Sequence, residues 1–171
     1  MFKYKTGKEV TDSVGLLITI LLRYPEIAKI NYEPEQEIIK MSFLINNDIP
    51  QDKLQRFISD LRDSIFTFNF LEQVEPSKIQ ISTVSNEEYI TIELYRDINT
   101  LTVNEINLIV KLFHLHLSNL IIADNNDVFV EDELLYQEAI ITDMLENLKT
   151  SRPVKKLLAF RDEGKVRVFD K

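Results

Sequence analysis

The sequence contains no cysteine and no tryptophan, and only three glycines and two histidines among its 171 residues. Without cysteine the chain has no disulfide, no thiolate metal ligand and no thiol nucleophile, which is compatible with a cytoplasmic protein. Gly7, Gly15 and Gly164 lie far apart, so the glycine-rich loops that bind phosphates in Walker and dinucleotide-binding sites are absent. These absences exclude several common kinds of enzyme site.

Long hydrophobic segments are also lacking, and the apolar run VGLLITILL at 14–22 has only nine residues. A helix needs roughly 20 apolar residues to cross a bilayer. Glu9 and Asp12 interrupt the basic residues before the run, and Tyr24-Pro25-Glu26 stands where a signal peptide has small residues for cleavage. We therefore expect a buried helix in a cytoplasmic protein that has no membrane partner.

The overall composition is that of a globular domain, with 44% hydrophobic and 28% charged residues. A chain of 171 residues is long enough for one domain, or for one domain with a small appendage. The many Ile, Asn and Lys residues suggest an AT-rich bacterial gene.

Two segments of the chain have the same order of predicted elements. In each segment, two strands with alternating apolar residues form a hairpin that an amphipathic helix follows. The apolar positions of the two helices correspond at a constant offset of 52: Leu54, Phe57, Ile58, Leu61 and Ile65 match Ile106, Ile109, Val110, Phe113 and Leu117. The shared spacing predicts two tandem ββα units.

Together the two units predict an α+β fold, in which an antiparallel sheet has helices packed on one face, plus a C-terminal helix and a β-hairpin. We place an α+β core domain with its N-terminal helix and both ββα units at 1–150. A basic hairpin at 151–171 is an appendage packed on the core or on a partner. Residues 64–72 are compatible with helix or strand, because Phe66, Phe68 and Phe70 alternate.

Thr102 and Glu105 predict the start of the second unit's helix, as the two partners of a capping box. In that motif the threonine hydroxyl accepts from the Glu105 amide, and the glutamate reaches back to the amide of the cap residue. Leu101 and Ile106 stand at the positions of a hydrophobic staple.

The two histidines do not predict a metal site. His114 and His116 are two residues apart in a predicted helix, so their side chains point about 200° apart. Asp60 and Asp63 share a polar helix face with Arg56, which is typical of a solvated surface.

The loop ADNNDVFVEDE is rich in oxygen ligands but does not fit a calcium-binding loop. Counted from Asp124, that pattern requires Gly at position six and Glu at position twelve, where Phe129 and Leu135 stand. We therefore predict no catalytic residue, no metal site and no cofactor.

The C-terminal segment 149–171 has the opposite charge to the rest of the chain. It contains eight Lys or Arg and three Asp or Glu, a net charge of +5, whereas the whole chain carries −8 and residues 1–148 carry −13. Cations on a ribbon can bind an acidic protein surface or phosphates, and edge lysines also discourage strand pairing. The candidate partner-binding residues are Lys155, Lys156, Arg161, Lys165 and Arg167.

These observations favour a non-catalytic binding or scaffold domain that binds a protein partner or itself. Self-association is expected because the helices at 14–22 and 106–122 carry more apolar residues than a four-stranded sheet would cover. The first alternative is a nucleic-acid or nucleoprotein accessory acting through the basic hairpin. It is disfavoured by the acidic body and by the few aromatic residues available for stacking. The second alternative is a hydrolase or transferase with an unidentified carboxylate site.

Overall fold

The computed structural model describes residues 8–123, 131–150 and 155–170, with the side chains of the first helix from Ser13 onward. In chain order the elements are α1 (Lys8–Arg23), β1 (Ile27–Glu33), β2 (Ile38–Asn46), α2 (Gln51–Leu71), β3 (Ile79–Ser85), β4 (Tyr89–Asp97), α3 (Val103–Leu117), β5 (Ile121–Ile122), α4 (Glu131–Thr150), β6 (Leu157–Asp162) and β7 (Lys165–Asp170).

The strands form one antiparallel sheet in the order β3-β4-β2-β1-β6-β7, and the two-residue β5 pairs with the end of β2. Each predicted unit contributes one hairpin, β1–β2 or β3–β4. The second strands of the two hairpins pair at the centre, with Met41 opposite Leu94 and Phe43 opposite Ile92. The predicted α+β fold with tandem ββα units is confirmed.

Helices α2 and α3 pack beside each other on the sheet, and the matched apolar positions of the two units lie in one core. Of the ten matched positions, Ile58 alone is partly exposed. The ring of Phe113 on α3 stacks on Phe43 with centroids 4.1 Å apart, and meets the ring of Phe57 edge-on at 4.9 Å. Side chains from both units therefore meet in a single interior.

The C-terminal hairpin β6–β7 extends the sheet beyond β1, where Ile30 pairs with Ala159 and Tyr32 pairs with Leu157. Helix α1 lies over this extension and packs on β1, β6 and β7. Helix α4 covers the other side of α1, and a Cβ at Gly15 would lie only 3.2 Å from Met144 Cε. The hairpin thus adds strands to the core sheet.

The packing of α4, β6 and β7 on α1 accounts for the N-terminal apolar run at 14–22. Leu16, Leu17, Ile20 and Leu21 are all fully buried, because α4 and the added strands β6 and β7 supply more apolar surface than the expected four-stranded sheet. The apolar excess of α1 is therefore satisfied within the chain and is not a sign of self-association.

The structure settles one segment that the sequence left open and shortens one predicted helix. Residues 64–71 continue α2 as a helix, which places Phe66 and Phe70 one turn apart on its exposed side. Helix α3 ends at Leu117 instead of extending to residue 122, since Ile121 and Ile122 pair with β2 as β5.

Candidate functional site

Three of the five predicted cations of the C-terminal hairpin lie against carboxylates of the same chain. The pairs are Lys155 Nζ to Asp170 Oδ2 at 2.9 Å, Lys156 Nζ to Glu33 Oε1 at 3.3 Å, and Arg167 Nε to Asp162 Oδ2 at 3.2 Å. These pairs are partly exposed, so each is worth little to stability. Asp162 and Asp170 are already included in the net charge of +5 of this segment, so Glu33 of β1 is the one carboxylate of the three that offsets that charge further.

Arg161 is turned toward the junction of α1 and β1. Its guanidinium donates to the carbonyl oxygen of Ile27 at 2.8 Å, to that of Pro25 at 3.3 Å, and to that of Leu21. These bonds hold the hairpin to the body of the molecule.

The hairpin does not gather its cations into one cluster. Lys155 and Lys156 precede β6, whereas Arg161 and Lys165 lie near the turn at the other end of that six-residue strand. A strand of this length spans roughly 20 Å. Lys165 is exposed, and whether these cations bind a partner stays a prediction.

The two histidines have different surroundings. His114 Nε2 lies 3.3 Å from Glu26 Oε2, whereas His116 lines a groove between α2 and α3. No group of three or more His, Asp or Glu residues within the described parts of the chain is placed to hold a metal ion. Residues 124–130, which include most of the acidic loop that we compared with a calcium site, lie outside those parts.

A buried cluster of charged groups joins the two ββα units. Arg96 Nε donates to Glu105 Oε2 and Arg96 Nη2 donates to Glu105 Oε1, both at 2.7 Å. Asn69 Nδ2 donates to the same Glu105 Oε1 at 2.8 Å. Arg96 Nη1 donates to the Lys78 carbonyl at 3.1 Å and to Asp97 Oδ1. The members satisfy one another's hydrogen bonds, so we interpret the cluster as a structural link and not as a reaction site.

The balance of forces on Asp97 favours its charged form. Burial by itself raises the pKa of Asp97, but the hydrogen bond from Thr100, the charge of Arg96 and the amide of Lys78 together hold that pKa below its usual value. The Thr100 hydroxyl donates to Asp97 Oδ2 at 2.6 Å, and the Lys78 amide donates to Oδ1 at 3.1 Å.

Glu105 is also where the predicted helix cap differs from the structure. Thr102 Oγ1 accepts from the Glu105 amide at 3.2 Å, as expected for the cap. The Glu105 carboxylate does not act as the reciprocal partner; it turns inward to Arg96 and Asn69. A buried arginine offers two charge-assisted bonds, which are stronger than one bond to a backbone amide.

An exposed apolar surface lies on the solvent side of α2 and α3. Phe66, Phe70 and Leu71 on α2 are 56%, 79% and 72% exposed, and Leu115 on α3 is 75% exposed. We refer to these four side chains as the α2–α3 face. The outward side of a surface helix is normally polar, so large apolar residues there are not explained by folding.

Two clefts border this face and share Leu71. A cleft of about 750 Å³ is formed by Phe66, Phe70, Leu71 and the chain that follows α2, including Val74 and Pro76. A groove of about 540 Å³ runs between the two helices, where Leu71 and Phe68 of α2 oppose Leu108 and Leu112 of α3. Leu71 therefore lies between the two clefts, with Phe66 and Phe70 beside it in the first of them.

The rim of the α2–α3 face is acidic. Asp60 and Asp63 line one end of the groove, and Glu75 lines the other cleft. Glu72 is exposed at the C-terminal end of α2, which has no basic residue in its last turn. The sequence from 63 to 77 contains no lysine or arginine.

The opposite face of the sheet carries mixed polar and aromatic side chains. Lys40 pairs with Glu93 at 3.2 Å, and Tyr95 donates to the same carboxylate at 3.0 Å. Phe160 and Phe169 of the hairpin stack with centroids 5.4 Å apart. On this face Lys40 is thus accompanied by a carboxylate, as are Lys155, Lys156 and Arg167 of the hairpin.

Within the residues that the structure describes, no helix is both long enough and apolar enough to cross a membrane. Comparison of the chain with protein-family models, with curated proteins and with solved structures finds no match.

Proposed function

We propose that this chain is a non-catalytic binding or scaffold domain of the bacterial cytosol, and that its contact surface for protein is the α2–α3 face. The observation that carries this proposal is the exposure of Phe66, Phe70, Leu71 and Leu115 on two adjacent helices. Exposed apolar patches on soluble proteins mark interaction sites, and aromatic residues are enriched at protein interfaces.

The same helices show why folding does not require these side chains. The inward stripe of α2 already supplies the core through Leu54, Phe57, Leu61 and Ile65. Phe66 and Phe70 lie outside that stripe and are spaced one turn apart, which is the spacing of anchor residues on a helical interface.

The two alternatives have less support. A nucleic-acid surface needs unpaired cations, whereas Lys155, Lys156 and Arg167 lie beside carboxylates. A hydrolase or transferase needs a carboxylate that a substrate can reach. Glu105 is fully buried in bonds to the protein, so this alternative would depend on surface carboxylates such as Asp60 and Asp63.

Co-purification with matched surface variants tests the proposal. The tagged chain would be isolated from its native cells as wild type, as Phe66→Ser/Phe70→Ser and as the control Val84→Ser. Val84 is a similarly exposed apolar residue, at 55%, and lies on β3 away from the face. Quantitative mass spectrometry then compares the three sets of bound proteins.

We expect a defined set of proteins to be retained by the wild type and by Val84→Ser, and to be lost from Phe66→Ser/Phe70→Ser. The same bound proteins in all three samples would overturn the α2–α3 face as the contact surface.

Self-association stays a separate prediction, and light scattering over a range of protein concentrations tests it. A dimer that the Phe66→Ser/Phe70→Ser variant dissociates would make a second copy the occupant of the face. A monomer at every concentration would remove self-association from the account.

A further inference from the structure

Building on the proposed function, we infer that the α2–α3 face binds an amphipathic helix of another protein, with basic residues at both ends of its apolar stripe. Three features lead to this occupant: the shape of the apolar surface, the placement of the acidic residues, and the poor match of the face to a second copy of itself.

The shape of the surface suits a helix. The groove between α2 and α3 has an apolar part, formed by Leu71 and Phe68 on one side and by Leu108 and Leu112 on the other. Polar residues line the rest of it: Asp60, Asp63, Ser64, Thr67 and His116. An amphipathic helix binds such a groove by inserting residues spaced three and four apart. The exposed Phe70 extends the contact beyond the groove toward the second cleft.

Acidic side chains lie at the two ends of this surface. Asp60 and Asp63 are at one end, and Glu72 and Glu75 are at the other. Asp63 and Glu72 are nine positions apart, and Glu72 directly follows the last residue of α2; at the rise of an α-helix this corresponds to about 14 Å. A bound helix would therefore need cations roughly nine residues apart to reach both ends.

The C-terminal end of α2 strengthens the preference for a cation. The last carbonyl groups of a helix carry partial negative charge, and a nearby cation stabilises them. No basic residue occupies the last turn of α2, so a partner's lysine or arginine would supply one. At the other end, Arg56 shares the helix face of Asp60 and Asp63 but lies 3.7 Å from Asp52. The end that carries Glu72 and Glu75 has no lysine or arginine between residues 63 and 77.

A second copy of the chain is a poor occupant. A two-fold dimer through this face would place the same acidic ends near one another, and like charges brought together oppose association. The hairpin is a poor complement to these acidic ends, because its cations are divided between its two ends and Lys155, Lys156 and Arg167 are each beside a carboxylate.

Fluorescence anisotropy with two synthetic peptides tests the inference on the full-length chain. Both peptides are helices of roughly 18 residues, or about 27 Å, with leucines at intervals of three and four. One has lysines at the two ends of the apolar stripe, and the other has glutamates at the same positions. Titrations at low and at high salt separate the charge contribution from the apolar one.

We expect the lysine peptide to bind about tenfold or more tightly than the glutamate peptide at low salt, and this preference to shrink at high salt. Phe70→Ser should weaken binding of the lysine peptide, whereas the matched Val84→Ser should not. Asp63→Asn/Glu75→Gln should reduce the preference for lysine, whereas Asp143→Asn on α4 should leave it unchanged.

Equal binding of the two peptides, or binding that Phe70→Ser leaves intact, would overturn the inference. Failure of both peptides to bind would also overturn the helical occupant. The proposed function would still stand in that case if co-purification depends on Phe66 and Phe70. If the same proteins co-purify whether or not Phe66 and Phe70 are replaced, the proposed function itself would be overturned.

Discussion

Arg96 and Glu105 form a two-bond ion pair in which both side chains are inaccessible to solvent, with each nitrogen–oxygen distance 2.7 Å. Arg96 comes from β4 and Glu105 from α3, and Asn69 of α2 completes the contact. The pair therefore ties a strand and a helix of the second unit to the helix of the first.

Replacing Arg96 by methionine should strongly destabilise the fold, because the carboxylates of Glu105 and Asp97 would remain buried without their cation. Removing one partner of a buried ion pair typically costs about 3–5 kcal/mol. Urea unfolding measures the change in the free energy of unfolding. The control is Arg56→Met, which breaks an exposed pair with Asp52 and should change stability by less than about 0.5 kcal/mol. Equal stability of the two variants would show that the buried pair contributes nothing specific.

The lowered pKa of Asp97 predicts how stability depends on pH. A carboxyl whose pKa is lower in the folded state stabilises the fold above the unfolded pKa of about 4, and loses that contribution as the pH falls through the folded value. The wild type should therefore exceed Asp97→Asn in stability at neutral pH, by a margin that shrinks below about pH 4. Urea unfolding at a series of pH values measures this margin. A margin that is constant, or that grows toward acid pH, would refute the lowered pKa.

The aromatic contact between the units predicts that they unfold together. Phe113→Ala removes the ring that meets Phe43 and Phe57, and should cost about 3–5 kcal/mol. Leu115→Ala, two residues away on the exposed side of α3, is the control and should have little effect. Circular dichroism and tyrosine fluorescence should report one common transition in both variants. Two separate transitions would mean that the units do not share a core.

Arg161→Lys tests the attachment of the hairpin. A lysine keeps the charge but has a single nitrogen, so it cannot reproduce the forked bonds to the carbonyls of Ile27, Pro25 and Leu21. Hydrogen bonds from charged groups are worth about 1.5–3 kcal/mol each, and we expect a loss of that order in the free energy of unfolding. Arg167→Lys alters an exposed pair with Asp162 and should be nearly neutral. Equal effects of the two changes would argue against the anchoring role of Arg161.

Periodicity was sufficient to predict the fold class, because the apolar stripes of both units face one interior. The matched positions from Leu54 to Ile65 and from Ile106 to Leu117 are in the core as expected, apart from the partly exposed Ile58. The burial of α1 was less predictable. It depends on β6 and β7 joining the sheet, and a long-range strand pairing leaves no local pattern in the sequence.

The alternation of inward residues along β4 was enough to predict a buried ion pair. Ile90, Ile92 and Leu94 alternate toward the core, and Arg96 continues the same alternation. An arginine at an inward position requires a buried anion, and Glu105 beside Ile106 was the nearest one in the following helix. The apparent capping motif concealed this role, because it assigns the Glu105 carboxylate to the start of α3, whereas that carboxylate turns inward to Arg96 and Asn69.

The α2–α3 face could not be predicted, because the spacing of the phenylalanines fits either a strand or a helix. Phe66, Phe68 and Phe70 alternate like a strand, which would have placed all three on one side of a sheet. In the helix, Phe68 turns partly inward while Phe66 and Phe70 remain exposed. The long-range packing of α2 on the sheet decided between these outcomes.

The most direct test of the account is site-specific photo-cross-linking from the α2–α3 face in the native cell. A photoreactive phenylalanine analogue would replace Phe70 in one sample and Val84 in another. We predict a discrete adduct with the same partner protein that co-purification identifies, formed from position 70 and absent at position 84. An adduct of equal yield from both positions, or from position 84 alone, would contradict the assignment of this face as the contact surface.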